Sequence, residues 1–180
     1  MEFNKKDVKI IILSGKAGSG KNVIGNIIKD YYNKFNKKTI TLAYASYLKE
    51  YAKNILNWNG DEISKPRTFL QQLGTYIKNN IDNNFLINRI IDDIKIYSFY
   101  YDVIVITDAR YKEEIEFIKT IFKDVTTINI YGKENNLTEE QKNHITETAL
   151  DDYNNYDYKI NNNVSIEELK KEVEKIIEVK

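Results

Sequence analysis

The chain has 180 residues and a mass of 21.2 kDa, of which 42% are hydrophobic and 12% aromatic. That is enough apolar material for one packed core and excludes a disordered chain. Twenty-seven basic residues balance 27 acidic ones, which argues against a protein built to grip nucleic acid. The absence of cysteine excludes disulfides, thiolate metal sites and a cysteine nucleophile, and a single histidine excludes a multi-histidine metal site. The polar start Met1–Asp7 lacks the apolar stretch of a secretory signal, and no apolar run approaches a membrane span. The expectation is a cytoplasmic protein with no membrane partner. One proline and seven glycines, with no linker-like stretch and no repeat, predict one domain.

Val8–Ser14 is a short β-branched run ending at glycines and predicts a strand buried on both faces of a parallel sheet. Gly20–Phe35 carries Val23, Ile24, Ile27, Ile28 and Tyr31 at helical spacing. Thr39–Ala45 reads as a second strand, followed by a helix that Ser46 can cap. Beyond the turn at Asn57–Gly60, Ser64 and Pro66 suit the start of a helix bearing Phe69, Leu70, Leu73 and Ile77. Asp82 can cap a further helix reaching about Tyr97. Asp102–Thr107 is the clearest buried strand and runs into Asp108. A helix over Tyr111–Phe122, a strand over Val125–Tyr131 and a short strand over Tyr156–Ile160 follow. Between the last two lies a polar stretch with a Thr138–Gln141 capping box. A second capping box, Ser165–Glu168, opens a C-terminal helix. Strands alternating with helices predict an α/β class with a mainly parallel sheet. The two interruptions, about 46–100 and 132–155, fall where ligands bind such sheets.

Gly15-Lys16-Ala17-Gly18-Ser19-Gly20-Lys21 matches G-x-x-x-x-G-K, directly after a strand and before an amphipathic helix. Glycines let the backbone N–H groups converge on an anion, and the helix N-terminus adds positive potential. Lys21 supplies a point charge for the β and γ phosphates. The residues after it are Asn22 and Val23, where Ser or Thr usually offers Mg²⁺ a hydroxyl. An amide oxygen remains an acceptable ligand. Gly15 through Val23 are therefore the candidate nucleotide-binding residues.

Four segments together resemble the bacteriophage and bacterial deoxynucleoside monophosphate kinases, a branch of the P-loop nucleoside monophosphate kinases. They are Gly15–Lys21, Arg67-Thr-Phe-Leu-Gln-Gln-Leu-Gly-Thr75, Asp108-Ala-Arg110 with Glu114, and His144-Ile-Thr-Glu147 ahead of Asp151. The resemblance implies a three-layer α/β/α P-loop fold with its core at about 1–45, 101–131 and 156–180. It implies a helical monophosphate-binding insertion at about 46–100 and a small lid at about 132–155. It also implies transfer of the γ-phosphoryl of ATP, with Mg²⁺, onto a (deoxy)nucleoside monophosphate, in a monomer or homodimer. Further family arginines are replaced by Lys78 and Lys133 regions, which supply charge without the bidentate fork.

Within that frame Lys21, Asp108 and Arg110 are candidate catalytic residues, and Asn22 and Asp108 candidate metal ligands. The alternative for Asp108 is to cap the next helix or pair with Arg110, and Arg110 could equally grip phosphate or brace Asp108. Arg67, Gln71, Thr75, Arg89, His144 and Glu147 are candidates for the acceptor and the lid. Two other readings stay open: a nucleotide-binding regulator with weak transfer, and a kinase of a non-nucleotide phosphate ester resembling phosphomevalonate.

Overall fold

The computed structural model describes residues 6–132 and 137–178. Lys133, at the expected start of the lid, lies outside the described residues. The elements in chain order are β1 (Lys9–Ser14), α1 (Lys21–Lys34), β2 (Thr39–Leu42), α2 (Ala45–Leu56), α3 (Arg67–Asn80), α4 (Phe85–Tyr97) and β3 (Val103–Ala109). They continue with α5 (Lys112–Ile121), β4 (Val125–Tyr131), α6 (Glu139–Lys142), α7 (Ile145–Thr148), β5 (Tyr158–Asn161) and α8 (Ile166–Glu178). The strands form one parallel sheet in the order β2-β3-β1-β4-β5.

Alternation along β1 explains the layers. Ile10 and Ile12 pack with Ile104, Ile106 and the inner faces of α4 and α5. Ile11 and Leu13 pack on the opposite face with α1 and α8 through Ile24, Ile28, Leu169 and Val173. All four β1 residues are almost fully buried, as a strand covered on both sides requires. A separate small core joins α2 to α3 through Leu48, Ala52, Trp58, Leu70 and Ile77. The three-layer α/β/α expectation is met. Among the described residues no helix is long and apolar enough to cross a membrane.

Several boundaries differ from the sequence reading, each for a local reason. β2 stops at Leu42 because the Asp108 carboxylate takes the N–H groups of Tyr44 (2.8 Å) and Ala45 (2.9 Å) and turns the chain into α2. Ser46 therefore lies inside α2 rather than capping it. Pro66, not Ser64, precedes α3, and no side chain caps that helix. Asp82 accepts the Asn84 N–H in a turn one step before α4 instead of capping the helix itself. The two capping boxes form as expected, at Thr138–Gln141 and Ser165–Glu168.

Candidate active site

β1 and α1 are joined by the Gly15–Gly20 turn at the carboxyl end of the central strand. Gly15 and Gly20 adopt φ of +142° and +96°. A Cβ on Gly15 would lie 2.3 Å from the Ile130 carbonyl, and one on Gly20 would lie 2.0 Å from Asn162 Nδ2. The loop is thus pressed against β4 and the segment after β5, which only glycine permits. Asn162, fully buried, donates to the Ser19 carbonyl at 2.7 Å and fixes the loop from behind. Nothing in the Asn161–Asn163 run singled this residue out. α1 carries no side-chain cap, so its first N–H groups face the same space as the loop amides.

Lys21 is buried in the loop while bordering the cleft. Its Nζ donates to the Gly15 carbonyl at 2.6 Å and the Lys16 carbonyl at 2.7 Å. Desolvation, with Arg110 nearby adding repulsion, lowers its pKa to about 7. Glu147 and Asp108 oppose the shift.

A carboxylate sits on the loop. Glu147 Oε2 accepts the Ala17 N–H at 2.8 Å and Arg110 Nη1 at 2.8 Å. Asp151 pairs with Lys16 at 3.0 Å. α7 is thereby docked on the phosphate loop by polar anchors. Among the described residues of 137–155 only Glu147 is buried, which matches the expected shortage of core side chains there. Glu147→Gln should loosen this docking by about 1–3 kcal/mol, since the charge shared by two donors is lost. Hydrogen exchange at 144–151 should then quicken by roughly 5- to 150-fold, while the strands stay protected. Unchanged exchange would show that Glu147 does not hold the segment.

The Asp108–Glu114 turn is held twice. Asp108 caps α2, as described. Glu114 is fully buried and accepts the N–H groups of Arg110 (2.6 Å) and Tyr111 (3.1 Å). Burial pushes its pKa up to about 8, Asp108 adds to the rise, and the two N–H donors oppose it. Both carboxylates fix the direction in which Arg110 leaves the sheet. Arg110 braces Glu147 in this structure, not Asp108.

A cleft of about 480 Å³ joins these parts to the α2–α3 region. Gly18, Gly20, Lys21, Asn22 and Val23 line it, together with Asp108, Arg110 and Glu147. Arg67 and Gln71, on α3, border the same cleft. Leu48, Leu70, Ile77 and Ile87 supply apolar walls. Gln71 also reaches Thr146 Oγ1 at 3.4 Å. Thr75 and His144 are not on the cleft wall. They approach each other at 3.5 Å, and His144 caps α7 by accepting the Thr146 N–H. Arg89 is also off the wall and packs over the rings of Tyr47 and Phe85 at 5.5 and 5.1 Å. The structure therefore brings together the phosphate loop, Asp108, Arg110, Glu147, Arg67 and Gln71, and leaves Arg89 apart. Lys78, the replacement for a family arginine, also lines the cleft, as do Lys49 and Lys65, which no motif singled out.

Solved structures share this fold at low sequence identity. The *Mycobacterium tuberculosis* APS kinase CysC in complex with AMPPNP and APS is 12% identical, with a TM-score of 0.58, over 96% of this chain and 99% of that one. A gluconokinase from *Sinorhizobium meliloti* is also 12% identical, with a TM-score of 0.52, over 94% and 91%. The *Acinetobacter baumannii* shikimate kinase in complex with shikimate is 13% identical, with a TM-score of 0.51, over 97% and 93%. No curated protein matches the sequence. The family model for deoxynucleotide monophosphate kinase matches residues 31–173. That span holds the Arg67, Asp108 and His144 segments but not the phosphate loop, which stands on its own geometry. With the loop, the fold and this match in agreement, the chain belongs to the deoxynucleotide monophosphate kinase family, whose members are phosphotransferases acting on a phosphorylated acceptor.

Proposed function

We propose that the enzyme moves the γ-phosphoryl of ATP onto a deoxynucleoside monophosphate. The observation that carries this reading is that the phosphate loop, the Asp108–Arg110 turn, Arg67 and Gln71 all border one cleft. An oxygen of the acceptor's phosphate attacks the γ-phosphorus, the bond to the β–γ bridging oxygen breaks, and ADP leaves with that electron pair. The acceptor oxygen is already anionic, so no general base is needed. The protein's task is positioning and charge.

The loop amides and Lys21 take the ATP phosphates. For that, Lys21 leaves the Gly15 and Lys16 carbonyls, and the Ala17 N–H exchanges the Glu147 carboxylate for phosphate. Arg110, released from Glu147, then turns to the transferring group. The segment 132–155 acts as the lid, moved by the same exchange. Asn22 and Asp108 fit a hydrated Mg²⁺, because each Asp108 oxygen keeps a lone pair after accepting one N–H and both residues border the cleft. Held by these two residues, the ion would supply positive charge against the negative charge that develops on the transferring phosphoryl. The apolar α2–α3 walls would take the base, with Gln71 at its polar edge.

Arg67→Ala tests the assignment of Arg67 to the acceptor. KM for the monophosphate should rise by roughly 10- to 100-fold, the range for losing a charged hydrogen bond, with ATP affinity nearly constant. Steady-state kinetics varying each substrate in turn would check it. Equal damage to both substrates, or to neither, would reject the assignment.

A further inference from the structure

Lys49 in α2, Lys65 in the turn before α3, and Arg67 at the start of α3 border one cleft, and Glu62 is the carboxylate that the two lysines share. Lys65 Nζ reaches the two Glu62 oxygens at 3.1 and 3.0 Å, and Lys49 Nζ lies 3.7 Å from Glu62. The Lys65 side chain is only 18% exposed. Burial holds the Lys65 ammonium below the ordinary lysine range, with repulsion from Lys49 and Arg67 adding to the drop and Glu62 opposing it.

Exposed ion pairs contribute about 0–1 kcal/mol each, so gathering three cations around one carboxylate gains the fold little. An uneven cluster on a cleft wall is instead matched to an anion. A phosphate monoester carries about −1.5 to −2 at neutral pH, which complements the cluster's excess. The first turn of α3 has no side-chain cap and no acidic residue, so its dipole adds to the same potential.

We infer that Lys49 and Lys65 join Arg67 as the seat of the acceptor's phosphate, with Glu62 as a built-in anion that the phosphate displaces. This rests on the monophosphate kinase reading, and it adds two lysines and an internal competitor to it. The α2–α3 core brings Lys49 beside residues more than a dozen positions away. That core is Leu48 and Ala52 against Trp58, Leu70 and Ile77. Glu62 is 64% exposed, so solvent can take up its carboxylate when phosphate displaces it.

The seat predicts opposite signs for neighbouring substitutions. Equilibrium titration with the four deoxynucleoside monophosphates reads binding directly, so loss of turnover would not obscure it. Lys65→Gln should weaken binding of the best monophosphate about 10-fold, and Lys49→Gln about 3- to 10-fold. Glu62→Gln should tighten it by about 3-fold or more. Lys53→Gln, in the exposed pair with Glu50, should change nothing. ATP binding should be the same in all four variants, and the corresponding deoxynucleoside, lacking the phosphate, should not distinguish Lys65→Gln from the unmodified protein. Glu62→Gln weakening the monophosphate, Lys65→Gln leaving it unchanged, or no monophosphate bound at all would each overturn the seat. Tight binding with the expected signs but no phosphoryl transfer to any of the four would uphold the seat and reject the kinase reading.

Discussion

Lys21→Ala is expected to lower kcat/KM for ATP by about 10²-fold or more while the chain still folds, because the charge aimed at the transferring phosphoryl is lost. Wild-type turnover in a cooperatively melting variant would show that the loop does not carry the nucleotide. The stability effect is the balance of two changes. Removing the side chain leaves the Gly15 and Lys16 carbonyls without their donor, and it relieves the desolvation of an ammonium. The pKa of about 7 sets the sign of a second effect. A lysine whose folded pKa lies below its unfolded value penalises folding fully below the folded pKa. That penalty fades as pH rises toward the unfolded value, so Lys21 makes stability rise with pH above about 7. Phosphate oxygens around Nζ restore the ammonium. ATP binding at about pH 8 should therefore take up close to one proton, and almost none at about pH 6. Calorimetry in buffers of different ionisation enthalpy would measure this. The uptake should vanish in Lys21→Ala, and its persistence would assign the proton to another group.

Gly15→Ala should cost the largest share of stability of any single change in the loop. The new methyl would meet the Ile130 backbone carbonyl of β4 at 2.3 Å, an atom that cannot step aside as a flexible side-chain end could. With the strain of φ +142° added, the expected loss is about 2–4 kcal/mol, or a fall in Tm of about 6–12 °C for a chain of this size. Gly60→Ala provides the contrast. Gly60 also has positive φ, +91°, but its Cβ would meet only Lys53 Cε at 3.5 Å. It should lose only about 1 kcal/mol from backbone strain. Thermal melts of the two variants separate close approach from conformational preference. Equal losses would mean that the loop is not pressed on β4 as the structure has it.

Some of this site was present in the one-dimensional chain and some was not. The phosphate loop, the buried strands and the alternation of helix and strand are local. Hydrophobic period, glycine spacing and capping boxes act over a few residues, so the α/β class and the Gly15–Lys21 turn followed from the sequence itself. The R-x-x-L-Q-x-L-G-T, D-x-R and H-x-T-E segments picked out Arg67, Asp108, Arg110 and Glu147, which border one cleft in the fold. Their partners were decided only when the sheet brought distant segments together. Asp108 binds the amides of Tyr44 and Ala45, because β2 and β3 are neighbours in register. That one contact ends β2 early and starts α2. Glu147 meets Ala17, 130 positions away, and Asn162 meets Ser19, 143 away. Arg89, placed on a helix by its spacing, packs over the rings of Tyr47 and Phe85 and is not on the cleft wall. Lysines carry no spacing signal, so Lys49 and Lys65 were indistinguishable from solvated charge until α2 packed on α3. Period and loop chemistry belong to the sequence. Which carboxylate faces which donor is a long-range pairing, and only the tertiary structure sets it.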